Sequence, residues 1–302
     1  YEHSSAARDI LPPLLNQLGA EVMRLGRTDH FIPVDTEAVR AEDIELARGW
    51  SQTYHLDAIL STDGDGDRPL VSDETGAWLR GDILGILCAR YLDADLVVTP
   101  VSSNTAVERC GWFGSVVRTR IGSPYVIQAM MEGVAAGYRR VVGYEANGGF
   151  LTATDIELGG HLLPALPTRD ALLPILAVLG LAAEQSIPIS RLVTQLPQRF
   201  TASDRLKDFP SEIGRQRLAA FDSGDFDRDR ANIETIFGPS LGALAGLDRT
   251  DGLRLSFASG CIVHLRPSGN APEFRVYTEA GEPERAGEIK RRCLELLAAW
   301  KD

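Results

Sequence analysis

Hydrophobic and polar positions alternate in type along the chain. Ile10, Leu14, Leu15 and Leu18 share one helical face, which predicts a helix over Ser5–Leu18, and Glu21–Leu25 has the alternation of a short strand. A helix over Thr36–Tyr54 and a buried strand over Asp57–Ser61 follow. Residues 70–80 then read as an antiparallel addition turning at Glu74–Gly76. Gly81-Asp82 opens a helix through Leu92, with Asp82 as its expected N-cap. Strand, short helix and strand recur at Leu96–Thr99, Asn104–Arg109 and Ser115–Thr119. The helix Ser123–Ala136 carries the apolar stripe Val126, Ile127, Met130, Met131 and Val134, and the strand Val141–Tyr144 ends in Glu145-Ala146-Asn147-Gly148-Gly149. Strands alternating with helices predict α/β units with mainly parallel sheets, whose ligands bind beyond the carboxyl ends of the strands.

Proline-containing segments at Pro164–Pro174 and Ser186–Pro197 bracket an apolar helix, Ala171–Ala183, and the second segment reads as a linker. The helix is too short to span a bilayer and carries Pro174 and Gly180. Beyond the linker the pattern changes. Leu253, Leu255 and Phe257 alternate, a turn leads to Cys261–Leu265, and Arg266–Pro272 forms a loop before a strand at Glu273–Glu279. A closing helix over Glu282–Trp300 places Ile289, Cys293, Leu296 and Trp300 on one face. The expected architecture is therefore α/β: two three-layer α/β domains plus a C-terminal α+β domain.

Length fits that picture, since 302 residues suffice for two domains or three small ones. With 31 Lys and Arg against 42 Asp and Glu, the net charge is −11, which argues against a nucleic-acid partner that needs a basic face. The four cysteines, at 88, 110, 261 and 293, have neither zinc-knuckle nor redox-pair spacing. They read as free thiols in a reducing, cytoplasmic setting. No signal peptide or membrane span is expected. Tyr1-Glu2-His3 reads as the tail of a strand entering a helix, which leads to the expectation of a preceding segment.

Three loops carry candidate chemistry. In Asp63-Gly64-Asp65-Gly66-Asp67-Arg68, three carboxylates at alternate positions converge when the glycines let the backbone curl. Oxygen-only donors suit a hard cation such as Mg²⁺, and Arg68 adds a guanidinium beside it for a phosphate. A solvated acidic turn is one rival reading. An EF-hand is another, but Arg68 takes the sixth position, where glycine is needed, Pro69 follows, and a strand precedes. In Gly143–Gly149, Glu145 and Asn147 can take neighbouring sugar hydroxyls, against the plain reading of a glycine-rich turn. In Arg266–Pro272, a guanidinium, the Ser268 hydroxyl, the Asn270 amide and backbone at Gly269 make an anion cradle, against an ordinary hairpin loop. Taken together, they describe a phosphosugar held at one end while metal-assisted phosphoryl transfer occurs at the other.

These motifs, with HSSAARD at the start and APEFR at the end of the third loop, resemble the α-D-phosphohexomutase family, the phosphomannomutase/phosphoglucomutase group. The resemblance implies residues 1–77 as the family's second domain, 78–195 as its third and 196–302 as its fourth. The first domain, with its phosphoserine loop, has no counterpart here. It further implies Mg²⁺ on Asp63, Asp65 and Asp67, with Arg68 near the transferring phosphoryl group. Glu145 and Asn147 would read the sugar, and Arg266, Ser268, Gly269 and Asn270 would hold the non-reacting phosphate. Arg120 stands where some members carry a basic residue assisting proton transfer. The implied reaction interconverts hexose 6-phosphate and hexose 1-phosphate through a phosphoserine and a hexose 1,6-bisphosphate. Mannose phosphate is the first expected substrate, with glucose or glucosamine phosphate as alternatives. Two departures bear on that preference: Gly149 stands where many members have histidine, and RPSGNAP replaces the commoner RxSGTEP. A non-catalytic phosphosugar-binding module is the rival of another class. By itself the chain is expected to show no mutase turnover, for want of the serine domain.

Overall fold

Two prolines decide where the first helix starts. Pro12 and Pro13 lack the N–H that a helix interior requires, so they fit only in a first turn. Helix α1 accordingly spans Leu11–Gln17, and residues 6–10, expected to be helical, are turns. The computed structural model describes residues 1–269 and 271–301. Within them the chain forms two units, Tyr1–Pro197 and Gln198–Asp302, with separate cores.

In the first unit, residues 21–25 form no strand. Glu2 N–H meets Leu25 O at 2.8 Å, while Arg24 and Arg27 pair with Glu2 and Asp9, so side-chain charge rather than a ladder holds this stretch. Helix α2 spans Ala41–Tyr54 and begins five residues later than Thr36. The Thr36 hydroxyl donates instead to Asn147 O at 2.8 Å, and Asp35 Oδ1 accepts from Glu37 N–H in a local turn. Strands β1 (Ile59–Thr62) and β2 (Pro69–Ser72) pair antiparallel, flanking the Asp-rich loop. The antiparallel addition expected over residues 70–80 is thus present, and among the described residues it is the only ladder within 1–77, without the parallel strands expected beside it.

Helix α3 (Gly81–Tyr91) is buried almost all round. Asp82 is not its N-cap. That position is Arg80, and Asp82 lies inside the first turn, fully buried, accepting from Asn104 N–H at 2.9 Å and Arg80 Nε at 3.3 Å. Then come β3 (Leu96–Pro100), α4 (Ala106–Arg109), β4 (Ser115–Thr119), α5 (Ser123–Ala135), β5 (Val141–Tyr144) and β6 (Phe150–Thr152). The sheet order is β4-β3-β5-β6, with β3 parallel to β4 and β5, and β6 antiparallel. A small hairpin, β7 (Ile156–Leu158) with β8 (His161–Leu163), precedes α6 (Leu172–Gln185) and α7 (Ile189–Val193). One sheet face packs Val142 and Tyr144 against Leu84 and Leu87 of α3 and Ile175 and Val178 of α6. The other packs Leu96, Val98 and Val141 against Val126 and Met130 of α5, which makes three layers. Met131, expected in that stripe, is exposed. Leu11, Val71 and Leu79 join the core of α3 and α6, so the first 80 residues share it. The expected linker is not free chain either, since Ile189 and Leu192 are buried in the same core.

The second unit contains β9 (Phe200–Lys207), α8 (Ser211–Ala219), α9 (Phe226–Leu241), β10 (Leu244–Asp248), β11 (Leu253–Phe257), β12 (Ile262–Pro267), β13 (Glu273–Ala280) and α10 (Pro283–Lys301). Its strands form one antiparallel sheet in the order β10-β11-β12-β13-β9. Leu255, Val263 and Val276 pack against Phe237 of α9 and Ile289 and Leu297 of α10. Among the described residues, no helix is long and apolar enough to cross a membrane, and all four cysteines are free thiols.

Candidate active site

The Asp-rich loop is built around Asp63. Its Oδ1 accepts backbone N–H groups from Gly66, Asp67 and Arg68, each at 3.2 Å, and its own N–H donates to Arg68 O at 3.1 Å. Gly66 turns the chain at φ +84°, a conformation that favours glycine. The HSSAARD segment braces the loop from outside: Ala6 N–H donates to Gly64 O at 2.9 Å, and the His3 ring meets Thr62 O at 2.7 Å.

The expected convergence of carboxylates is present. Asp63, Asp65 and Asp67 each offer an oxygen, and these lie within 4.8 Å of one another. Burial pushes the Asp63 carboxyl up to about 6, and the neighbouring charges of Asp65 and Asp67 push in the same direction. Asp67 Oδ1 and Arg68 Nε are buried and have no hydrogen-bond partner; Arg68 Nε stands 3.6 Å from Asp63 Oδ2. Crowded oxygen donors and an orphaned carboxylate oxygen fit a hard divalent cation, which would relieve both.

The Gly143–Gly149 loop follows β5 and closes on itself. Gly148 N–H donates to Glu145 O at 2.9 Å, Glu145 N–H to Gly149 O at 3.1 Å, and Gly149 N–H to Asn147 Oδ1 at 3.0 Å. Glu145 and Asn147 are both buried, and Glu145 Oε2 has no hydrogen-bond partner. Contact with the preceding elements is very close. A Cβ at Gly81 would lie 2.2 Å from Gly148 N, and one at Gly148 would lie 2.9 Å from Pro69 Cγ. The start of α3 and the Glu145 loop therefore meet backbone to backbone, with the Pro69 ring of the strand leaving the Asp-rich loop packed against Gly148.

Arg169 joins these loops and was not anticipated. Its Nε lies 2.7 Å from Asp67 Oδ2, and Nη1 lies 3.5 Å from Glu145 Oε2. The neighbouring Asp170 exchanges backbone hydrogen bonds with Phe150 and accepts from Leu172 N–H at 2.7 Å at the start of α6. That Thr-Arg-Asp stretch before an apolar helix is a visible capping signal, but nothing in it names Asp67 as the arginine's partner. Arg120, by contrast, is exposed, with its guanidinium 5.1 Å from the Tyr125 ring centroid.

In the second unit, Arg266 is the penultimate residue of β12, and its Nε donates to Asp251 Oδ1 at 2.9 Å. Ser268 N–H donates to Glu273 O at 2.8 Å, and Ser268 O accepts from the Ser211 hydroxyl at 3.1 Å. A cavity of about 350 Å³ lies here, lined by Arg215, Arg249, Asp251, Arg266, Ser268 and Gly269 among others. A Cβ at Gly269 would meet nothing within 4 Å, so the backbone there is open to a ligand. Three guanidiniums around one cavity suit an anion. Asn270, expected in this cradle, lies outside the described residues.

Residues 80–200 match the family model described as phosphoglucomutase/phosphomannomutase, alpha/beta/alpha domain III. The chain is 47% identical over 297 residues to a phosphomannomutase of Sinorhizobium fredii, covering 98% of this chain and 61% of that protein. A phosphoglucomutase/phosphomannomutase family protein from Burkholderia thailandensis superposes with a TM-score of 0.69 at 17% identity, covering 99% of this chain and 59% of that one. An Aspergillus fumigatus N-acetylphosphoglucosamine mutase, solved with GlcNAc-6P and magnesium, gives a TM-score of 0.57 at 17% identity, covering 82% and 49%. The chain thus spans about three fifths of the curated relative it matches. The match of residues 80–200 to the family's domain III, with 47% identity over nearly the whole chain, places this chain in the phosphoglucomutase/phosphomannomutase family of α-D-phosphohexomutases.

Proposed function

We propose that the chain forms the cation-, sugar- and phosphate-binding part of a phosphohexomutase that interconverts hexose 6-phosphate and hexose 1-phosphate, with mannose phosphate as its preferred substrate. The observation that carries this reading is the gathering, in one unit, of the Asp63–Asp65–Asp67 oxygens and the buried Glu145 carboxylate, whose Oε2 has no hydrogen-bond partner. The identity to a phosphomannomutase favours mannose over glucose and glucosamine phosphates.

Asp63, Asp65 and Asp67 would hold Mg²⁺, which when bound stabilises charge on a transferring phosphoryl group. The protein's own part is positioning. Asp63, locked by three N–H groups, sets the loop and leaves Arg68 beside it for a phosphoryl oxygen. Glu145 accepts from sugar hydroxyls, and Asn147, whose Oδ1 is taken by Gly149 N–H, offers its NH₂. Arg266, Ser268, Gly269 and Asn270 hold the phosphate that is not reacting, and Asp251 orients Arg266. Arg120 is assigned proton transfer on the family resemblance alone. A hexose 1,6-bisphosphate would serve as intermediate, as the family resemblance implies.

The division at 77/78 and 195/196 into the family's second, third and fourth domains belongs to this proposal, as does a cytoplasmic setting, supported by the free cysteines. The test pairs calorimetric titration of Mg²⁺ and mannose, glucose and glucosamine phosphates with a coupled mutase assay on the natural polypeptide. Binding with turnover, fastest on mannose phosphate, is expected. Binding without turnover would support a phosphosugar-binding module instead.

A further inference from the structure

Arg169 touches a candidate cation ligand and a candidate sugar ligand at once. Its Nε is 2.7 Å from Asp67 Oδ2 and its Nη1 3.5 Å from Glu145 Oε2. Neither carboxylate is otherwise well satisfied, for Asp67 Oδ1 and Glu145 Oε2 are both buried without a hydrogen-bond partner. Two features fix the guanidinium in this place. The Phe150–Asp170 bridge and the hydrogen bonds from Leu172 N–H and Leu173 N–H to Asp170 Oδ1 hold the backbone at the next residue. The side-chain stem then crosses Gly149, where an added Cβ would lie 2.7 Å from Arg169 Cδ and 2.9 Å from Cγ. A bare backbone at 149 is what lets the arginine reach both loops.

A cation drawn to the three carboxylates and the Arg169 guanidinium make opposite demands on Asp67. When the cation takes Asp67, the like charge of Arg169 is repelled from it and left for Glu145 and for oxygens of a bound ligand. When a ligand takes Arg169, Asp67 is freed for the cation. Thermodynamic linkage makes the two effects equal. We infer that Arg169 is a positioning residue that couples cation binding on the Asp63–Arg68 loop to sugar-phosphate binding on the Gly143–Gly149 loop, each strengthening the other. This rests on the proposed function, since it assigns the two loops those ligands.

The test is a set of calorimetric titrations with Mg²⁺ alone, mannose 1-phosphate alone, and each in the presence of the other. In the natural polypeptide each ligand tightens the other's dissociation constant. In Arg169→Met, Mg²⁺ alone binds more tightly than in the natural chain, because a competing cation is gone. The mutual tightening falls by roughly fivefold or more, the lower end of coupling between linked sites. Gly149→Ala keeps the charge but pushes the stem aside, and it should lose the coupling as well. Arg169→Lys keeps charge without the fork and should retain part of it. If Arg169→Met and Gly149→Ala bind both ligands with the coupling undiminished, the inference is wrong. If the natural chain binds neither ligand, the functional reading fails and this inference goes with it.

Discussion

Gly81→Ala separates local preference from tertiary packing with opposite signs. Gly81 is the first residue of α3, and alanine is the better helix former by up to about 1 kcal/mol. On local grounds the change stabilises. Its new Cβ, however, would sit 2.2 Å from Gly148 N, 2.3 Å from Asn147 C and 2.7 Å from Ala146 O. All three are backbone atoms, and no rotamer can move them aside. Overpacking of this kind costs about 3 kcal/mol, so after the gain in propensity the net loss is about 2 kcal/mol. Gly49→Ala in α2 is the matched control: it is also helical, is exposed, and has nothing within 4 Å of an added Cβ. That change should gain about 0.5–1 kcal/mol. Native-state hydrogen exchange of the amides of α3 and β5 reads the effect within this unit, and a 2 kcal/mol loss is about thirtyfold faster exchange. The displaced loop carries Asn147, so hexose-phosphate affinity should fall about tenfold or more, the equivalent of some 1.4 kcal/mol. Mg²⁺ affinity should hold, because Asp63 is fixed by bonds inside its own loop. A Gly81→Ala protein that exchanges as slowly as the natural chain, or more slowly, would refute the packing argument.

Asp65→Asn tests the cation site with little structural disturbance, since Asp65 is exposed while Asp63 holds the loop together; Mg²⁺ affinity by calorimetry should drop about tenfold or more. Arg266→Gln should weaken inorganic phosphate binding by about 10- to 100-fold, the worth of a charge-assisted hydrogen bond, and Asp251→Asn should weaken it less, because it only loosens the arginine. His264 gives a pH signature. It is buried, its Nε2 lies 2.6 Å from Asp251 O, and burial brings it down from 6.5 to about 4. The unfolded chain therefore binds a proton there that the folded one refuses. Stability of the second unit should be complete above about pH 6.5 and fall by about 3 kcal/mol as the pH drops toward 4. Denaturant titrations across that range, followed by Trp300 fluorescence, check this, and His264→Gln should flatten the profile.

The three loops were legible because their chemistry is local. Asp63, Asp65 and Asp67 lie so close along the chain that a glycine-assisted curl brings them together, and Arg266, Ser268 and Gly269 are near neighbours at the end of one strand. The alternation of β3, α5 and β5 was equally legible, since a parallel sheet covered on both faces leaves a regular apolar pattern. Other features failed for one shared reason. Asp82 has the composition of an N-cap, yet its carboxylate is drawn inward by Asn104 N–H. Thr36 looked helical until Asn147 O, 111 residues away, claimed its hydroxyl. Met131 fits the helical period, yet the neighbouring Met130 is the one that the fold buries and Met131 stays exposed.

By itself the amino-acid sequence determined the fold class, the carboxylate triad and the composition of the Glu145 and Arg266 loops, because each rests on periodicity or on neighbours a few residues apart. Only the tertiary structure decided that Gly81 and Gly149 must stay bare and that Arg169 reaches both Asp67 and Glu145. Those facts depend on where distant backbone segments meet, and a pattern read along one chain does not encode the distance between them.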